Sequence, residues 1–182
     1  AASSGSVGLF HLVGITPEAP TLEDALQGQE PLITIEIGMP ELRRALAELS
    51  TAEGSQLDMV VLGSPHFSLA EFQQLAALLP GKKKHPKLEF LVTSSRAMCL
   101  FAERAGHLAA LKSFGSRVTV DTCILTTPML PERVKLLMTN SAKYAYYAPG
   151  LLGTQVVFGS LEDCVNSAVA GHVVRERSLW EV

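Results

Sequence analysis

In Arg117–Cys164, RVTVDTCILTTPMLPERVKLLMTNSAKYAYYAPGLLGTQVVFGSLEDC, three short apolar runs each give way to small polar residues rather than to an ordinary glycine or proline loop. The runs are Val118–Val120, Val134–Met138 and Gln155–Phe158. The breaks are Asp121-Thr122-Cys123, Thr139-Asn140-Ser141-Ala142-Lys143 and Gly159-Ser160-Leu161-Glu162-Asp163-Cys164, two of which end on a cysteine. Ligands of open sheets with helical crossovers bind outside the carboxyl ends of the strands. Three such ends bearing hydroxyls, an amide, a lysine and two thiols therefore describe one shared site.

Working outward, the same rhythm recurs upstream. Leu57–Leu62 reads as a buried strand, and the GSPHFSLAEFQQLAALL that follows is a polar turn and a helix. Ser68 with Glu71 three residues on is a capping-box signature. Lys87–Val92 is a strand ending in Thr93-Ser94-Ser95-Arg96, with helices predicted over Ala97–Gly106 and His107–Phe114. Nearer the start, Phe10–Val13 and the alternating Leu32–Ile37 read as strands. Thr21 is placed to cap a short helix, and Glu41–Leu49 spaces Leu42, Leu46 and Leu49 as an amphipathic one. Tyr144–Tyr147 sits on a short helix broken by Pro149-Gly150, and a final helix covers Leu161–Ala170. The tail RERSLWEV carries no assignment, and Ala1–Ser6 reads as a frayed end or an expression remnant. Strand and helix alternate five or more times, which predicts a three-layer α/β/α domain with a mostly parallel sheet.

Composition narrows the partners. The 182 residues suffice for one domain with one core, residues 1–182, and 47% hydrophobic with 18% charged residues is a globular balance. A net charge of −3 argues against nucleic acid, whose backbone requires concentrated lysine and arginine. Lys82-Lys83-Lys84, between Pro80 and Pro86, reads as a solvated loop. No apolar stretch approaches the ~20 residues of a membrane span and the first residues lack signal-peptide character, so a cytoplasmic protein is expected. Three cysteines do not form a disulfide framework and suit core, metal-ligand or nucleophile roles. Cys99, inside a helix, reads as a small hydrophobe. Cys123 and Cys164 belong to turns at helix amino ends, where thiolates are favoured. Two thiols without C-x-x-C spacing fall short of a conventional zinc or cluster site.

Five strand ends would then lie on one edge: Gly63-Ser64-Pro65-His66, Thr93–Arg96, Asp121–Cys123, Thr139–Ser141 and Gly159-Ser160. Helix amino ends pointing at a common cleft attract carboxylate or phosphate. Ser68 and Ser160 read first as caps. Asn140 followed by Lys143 exceeds what capping needs, and Arg96 divides evenly between anion binding and an exposed helix start. Tyr144, Tyr146 and Tyr147 read as wall and core.

The segments LGSPHFSLAEFQQLAALL, VTSSR, VDTC, MTNSAKYAYYAPGLLG and VVFGSLEDCVNSAVAGHV, with FHLVGITPEAPTLEDAL before them, resemble the carboxyl-terminal portion of the large subunit or domain of aconitase X, over about Phe10–Val173. The resemblance implies an aconitase-like α/β fragment of a hydro-lyase. Such an enzyme removes water from a small hydroxy acid such as cis-3-hydroxy-L-proline, with iron or an iron–sulfur cluster as Lewis acid. It implies metal at Cys123 and Cys164. Ser64 falls where archaeal members have a cysteine, a departure that favours a single iron or a smaller cluster. His66, Arg96, Asn140, Ser141 and Lys143 are the implied substrate-binding neighbours. A small swivelling subunit or domain is the implied partner, and without it the chain is expected to be inactive. The rival expectation is a non-catalytic, metal-free domain that binds an anion or a subunit at the same edge. A nucleophilic thiol is a third and weaker reading, since His66 is the one histidine on the proposed edge and nothing in the sequence fixes its distance from either thiol.

Overall fold

The computed structural model describes residues 7–52 and 54–176. Ala1–Ser6, read as a frayed end or an expression remnant, and most of the tail lie outside them. The chain divides after Leu42 into two compact units.

Among the described residues of the first unit, the one regular element completed before Leu42 is α1, Leu22–Leu26. Thr21 caps it: its hydroxyl accepts from Asp24 N–H at 3.2 Å, and Asp24 Oδ2 accepts from Thr21 N–H in return. Phe10–Val13 and Leu32–Ile37, expected as strands, are irregular. A strand exists through its ladder, and the described residues offer neither segment a partner. Among the described residues before Arg43 only Ala19 is buried, while Leu32, Ile33 and Ile35 lie open to solvent. The helix α2, Met39–Glu48, starts here, its first amides met by Glu41 Oε2, which accepts from Gly38 N–H at 2.9 Å.

The second unit is built on five parallel strands: β1 Met59–Phe67, β2 Glu89–Ser94, β3 Arg117–Val120, β4 Leu136–Thr139 and β5 Gln155–Phe158. Their order is β3-β2-β1-β4-β5. The chain lays strands outward from β1 to one edge, then returns to the other side of β1, so the direction of winding reverses between β1 and β4. The helices are α3 Leu69–Leu78, α4 Arg96–Arg104, α5 His107–Phe114, α6 Ala142–Leu152 and α7 Leu161–Ala170. Alternate strand residues feed two cores, the period of two that a pleated strand imposes. Val60, Leu62, Phe90, Val92 and Met138 pack with Phe72, Leu75, Leu111, Phe114 and Val165 of α3, α5 and α7. Met59, Val61, Leu91, Leu137 and Val156 face the other way, onto Ile124, Val134 and Tyr144, Ala145 and Ala148 of α6. This is the three-layer arrangement, with helices on both faces.

Capping explains most helix starts. Ser68, Ser95, Ser141 and Ser160 each accept a hydrogen bond from the third residue beyond, and Ser68 and Ser160 complete capping boxes with Glu71 and Asp163. The expected break at Pro149 does not occur. The proline stands in the last turns of α6, where it forfeits one bond; buried Ala145 and Ala148 hold the helix down, and Gly153, at φ 63°, closes it by donating to Pro149 O. The outer edge of β5 is closed by side chains: Val156 N–H donates to Thr51 Oγ1 at 3.0 Å and Phe158 N–H to Ser50 Oγ at 3.2 Å.

Candidate functional site

A winding reversal opens a crevice at the carboxyl ends of the two strands that flank it. Here the crevice, about 270 Å³, lies between β1 and β4 and is lined by Gly63, Ser64, Pro65, Glu71, Asn140, Ser141, Ala142 and Lys143. The sequence makes it by bulging β1. Register with β2 pairs Leu62 with Val92 and then jumps to Phe67 with Ser94, so Gly63–His66 leave the ladder and project over the edge. Gly63 permits this. Its φ is 97°, and a Cβ there would lie 2.1 Å from Thr93 O. Thr93 Oγ1 donates to Gly63 O at 2.7 Å and Ser94 Oγ to Phe67 O at 2.6 Å, pinning both ends of the bulge, whose Ser64–Pro65 peptide is cis.

Two ties draw neighbouring turns to the bulge. Ser141 Oγ donates to Ser64 O and accepts from Tyr144 N–H at 3.1 Å. His66 Nε2–H donates to Thr122 O at 2.7 Å, which brings the turn carrying Cys123 against the bulge carrying Ser64 and leaves Nδ1 of the neutral ring as an acceptor. The Asp121 turn is braced from outside: Asp121, at φ 53°, takes Arg96 N–H on Oδ1 at 2.9 Å and Arg96 Nε–H on Oδ2 at 3.1 Å. These bonds, the backbone one first, hold the Asp121 carboxyl below the usual carboxylate range.

The predicted residues thus separate. Ser64, Asn140, Ser141 and Lys143 line one crevice, with His66 and Cys123 joined to its rim. Ser141 has its hydroxyl committed to two backbone partners and acts as cap and tie. Arg96 is outside the crevice, its side chain 82% exposed and held to Asp121. Cys164 is the larger departure. It follows β5 while Cys123 follows β3, at opposite ends of the sheet, four strand spacings or about 19 Å apart. Its thiol is fully buried among the apolar side chains beneath α7, whereas Cys123 packs against the opposite core. Burial, and then the charge of Asp163, push the Cys164 thiol up, away from the thiolate a metal requires. The shared hollow expected for the two thiols is absent because a helix amino end displays its first turn inward as readily as outward. Cys99 is buried, as expected.

One group passed over as wall and core acquires more interest. Tyr144 is 1% exposed and its hydroxyl has no hydrogen-bond partner among the described residues. Burial, and secondly the charge of nearby Cys123, push its pKa up. The sequence signal was a tyrosine where phenylalanine would fill the same space.

Among the described residues no three His, Cys, Asp or Glu side chains converge as metal ligands, so a cluster held by three thiolates does not fit them. Of the thiols, Cys123 is the one at this edge that is half-buried and not enclosed in the core beneath a helix, and the unmatched Tyr144 phenol lies near it.

Fold and crevice together define a three-layer α/β domain with a cavity at its winding reversal. Family profiles refine this. Residues 57–170 match the aconitase X third domain and residues 1–47 the aconitase X second domain. The chain belongs to the aconitase X family. It is 50% identical over 180 residues to cis-3-hydroxy-L-proline dehydratase of Pseudomonas aeruginosa, covering 98% of this chain and 31% of that protein. It is 43% identical over 174 residues to the enzyme of the same name from Hypocrea jecorina, covering 94% of this chain and 29% of that one. A crystal structure of Thermococcus kodakaraensis aconitase X in its holo-form superposes with a TM-score of 0.68 at 27% identity, over 76% of this chain and 35% of that one. The chain therefore spans about a third of the length of these relatives. No described helix is long and apolar enough to cross a membrane.

Proposed function

We propose that this chain supplies part of the reaction crevice of a dehydratase that removes water from a small hydroxy acid of the cis-3-hydroxy-L-proline type. The observation that carries the reading is the convergence of the Ser64 bulge, the Asn140–Lys143 turn and the Cys123 turn at one winding reversal. Cys123 and Ser64 would hold iron, which when bound supplies a Lewis acid for the departing hydroxyl. An oxygen donor in place of sulfur leaves such a centre harder and more strongly polarising.

The chain's own side chains then have separate tasks. Asn140 and Lys143 hold substrate oxygens, the lysine as a mobile point charge and the amide as a fixed donor and acceptor. His66, tied through Nε2–H, keeps the Cys123 turn closed on the bulge and presents Nδ1 as an acceptor. Arg96 acts through Asp121, holding the turn in its left-handed conformation. The remaining domains, and a small swivelling piece that closes over the crevice, complete the enzyme. We place it in the cytoplasm.

Iron analysis of protein purified without oxygen tests the reading. The parent should carry near-stoichiometric iron, Cys123→Ala should lose it and Cys164→Ala should keep it. Full iron in Cys123→Ala, or none in the reconstituted parent, would sink the metal assignment and favour the metal-free binding domain.

A further inference from the structure

A larger hollow of about 690 Å³ adjoins the crevice on the far side of Asn140. It lies at the carboxyl ends of β4 and β5, between α2, Ser50, the start of α7 and Arg175-Glu176. Its walls at Leu46, Ala47, Phe158 and Leu161 are apolar, and two guanidinium groups are set into it, Arg43 and Arg175. Neither makes an ion pair among the described residues. Arg43 Nε is buried without a hydrogen-bond partner among the described residues, and Arg175 donates to Ser50 Oγ at 3.3 Å. Two carboxylates border the hollow: Asp163 is engaged by backbone, Oδ2 accepting from Ser160 N–H at 3.0 Å and Oδ1 from Glu176 N–H at 2.9 Å, and Glu176, exposed at the rim, is itself engaged.

Two like charges held part-buried in an apolar hollow repel each other and have lost some of their water, so the arrangement favours an anion that both can reach. The planar guanidinium matches a carboxylate bidentately, and the amino end of α7 adds its positive potential to the same space. We infer that this hollow is a carboxylate subsite, in which Arg43 and Arg175 take the acid group of a small hydroxy or amino acid. The body of the acid extends past Asn140, the residue common to both cavities, toward Ser64. The identity of the acid rests on the dehydratase reading; the preference for a carboxylate rests on the arginines alone.

The test is binding of L-proline, pyrrolidine and inorganic phosphate to the metal-free chain, followed by titration calorimetry and by amide chemical shifts. L-Proline should bind with shifts around Ser50, Asn140 and Ser160, and pyrrolidine, which lacks the carboxylate, should bind at least tenfold more weakly. Arg43→Gln and Arg175→Gln should each weaken proline at least tenfold, with Arg43→Lys retaining more than Arg43→Gln. Circular dichroism and thermal melting establish that each variant is folded. Unaltered proline affinity in both folded glutamine variants, equal affinity for pyrrolidine, phosphate tenfold tighter than proline, or no binding of proline would each overturn the assignment. Because the probe is read without metal, the iron experiment and this one fail independently.

Discussion

Residues 7–42 and residues 43–176 treat their apolar side chains in opposite ways. The second unit buries two clusters on the faces of a five-stranded sheet, while the first buries Ala19 and leaves Leu9, Phe10, Ile15, Leu32, Ile33 and Ile35 exposed. Both are comparably apolar as sequence, so composition does not separate them. What separates them is pairing: each strand of the second unit has a neighbour in the same unit, and the extended Leu32–Ile37 has none among the described residues. An exposed alternating segment of this kind is a template for strand addition. The family matches divide the chain at almost the same place, into a second-domain and a third-domain portion.

The widest difference should appear at two glycines that share a left-handed φ. A Cβ at Gly63 meets Thr93 backbone at 2.1 Å, whereas Gly14, at φ 78°, has open space around it. Gly63→Ala combines conformational strain with a backbone collision and should cost more than about 4 kcal/mol in denaturant melts. Gly14→Ala should cost about 1 kcal/mol, confined to its own turn. Equal effects would erase the distinction between the units. Next comes a leucine pair: Leu91→Ala, at 1% exposure, should cost about 3 kcal/mol. Leu32→Ala should leave the melt within about 0.5 kcal/mol, and a larger loss would show that Leu32 already has a packing partner.

That same contrast governs what could be foreseen. In the second unit, hydrophobic period, capping serines and polar strand ends agreed, and α5, β5 and α7 fall where the sequence puts them. In the first unit, alternation at Leu32–Ile37 reported a strand's capacity to pair but not the presence of a partner. The polar strand ends were legible because they follow order along the chain, whereas the winding reversal between β1 and β4, and with it the position of the crevice, was not. Placement within a turn was not: Cys164 points inward, Arg96 finds Asp121, and β1 runs on through its bulge to Phe67. Arg175 lay in a tail without pattern, and Arg43 looked like the polar face of a helix; their meeting depends on tertiary contact alone.

A pH test sharpens the comparison, since the first unit contains no cysteine. The folded state raises the Cys164 pKa above its unfolded value, so its contribution is intact below about pH 8.5, the unfolded thiol value. As pH rises beyond that, the unfolded chain sheds a proton the folded one keeps, and stability falls by up to about 1.4 kcal/mol per pH unit. Between pH 8.5 and 9.5 the parent should show a steeper decline than Cys164→Ala, as read by urea midpoints. Parallel slopes would mean the thiol titrates normally and is reachable. Asp121 works in the opposite sense, its lowered pKa favouring the fold at neutral pH and losing that contribution as acid protonates it.

The smallest expected effect lies inside the well-packed unit. Leaving a buried hydroxyl unmatched costs about 1–3 kcal/mol, whereas replacing it with hydrogen in the same shape removes that penalty. Tyr144→Phe should therefore hold or raise the metal-free melt, by about 1 kcal/mol, although almost every other change in this core lowers it. The cause is location, since the phenol sits beside Cys123, behind the turn tied to the Ser64 bulge. Here the sheet unit accepts a loss that a phenylalanine would avoid. A drop of more than about 1 kcal/mol in Tyr144→Phe would show that the hydroxyl already has a partner in the chain. Stability gained in the metal-free state together with weaker iron retention would place the phenol at the bound group.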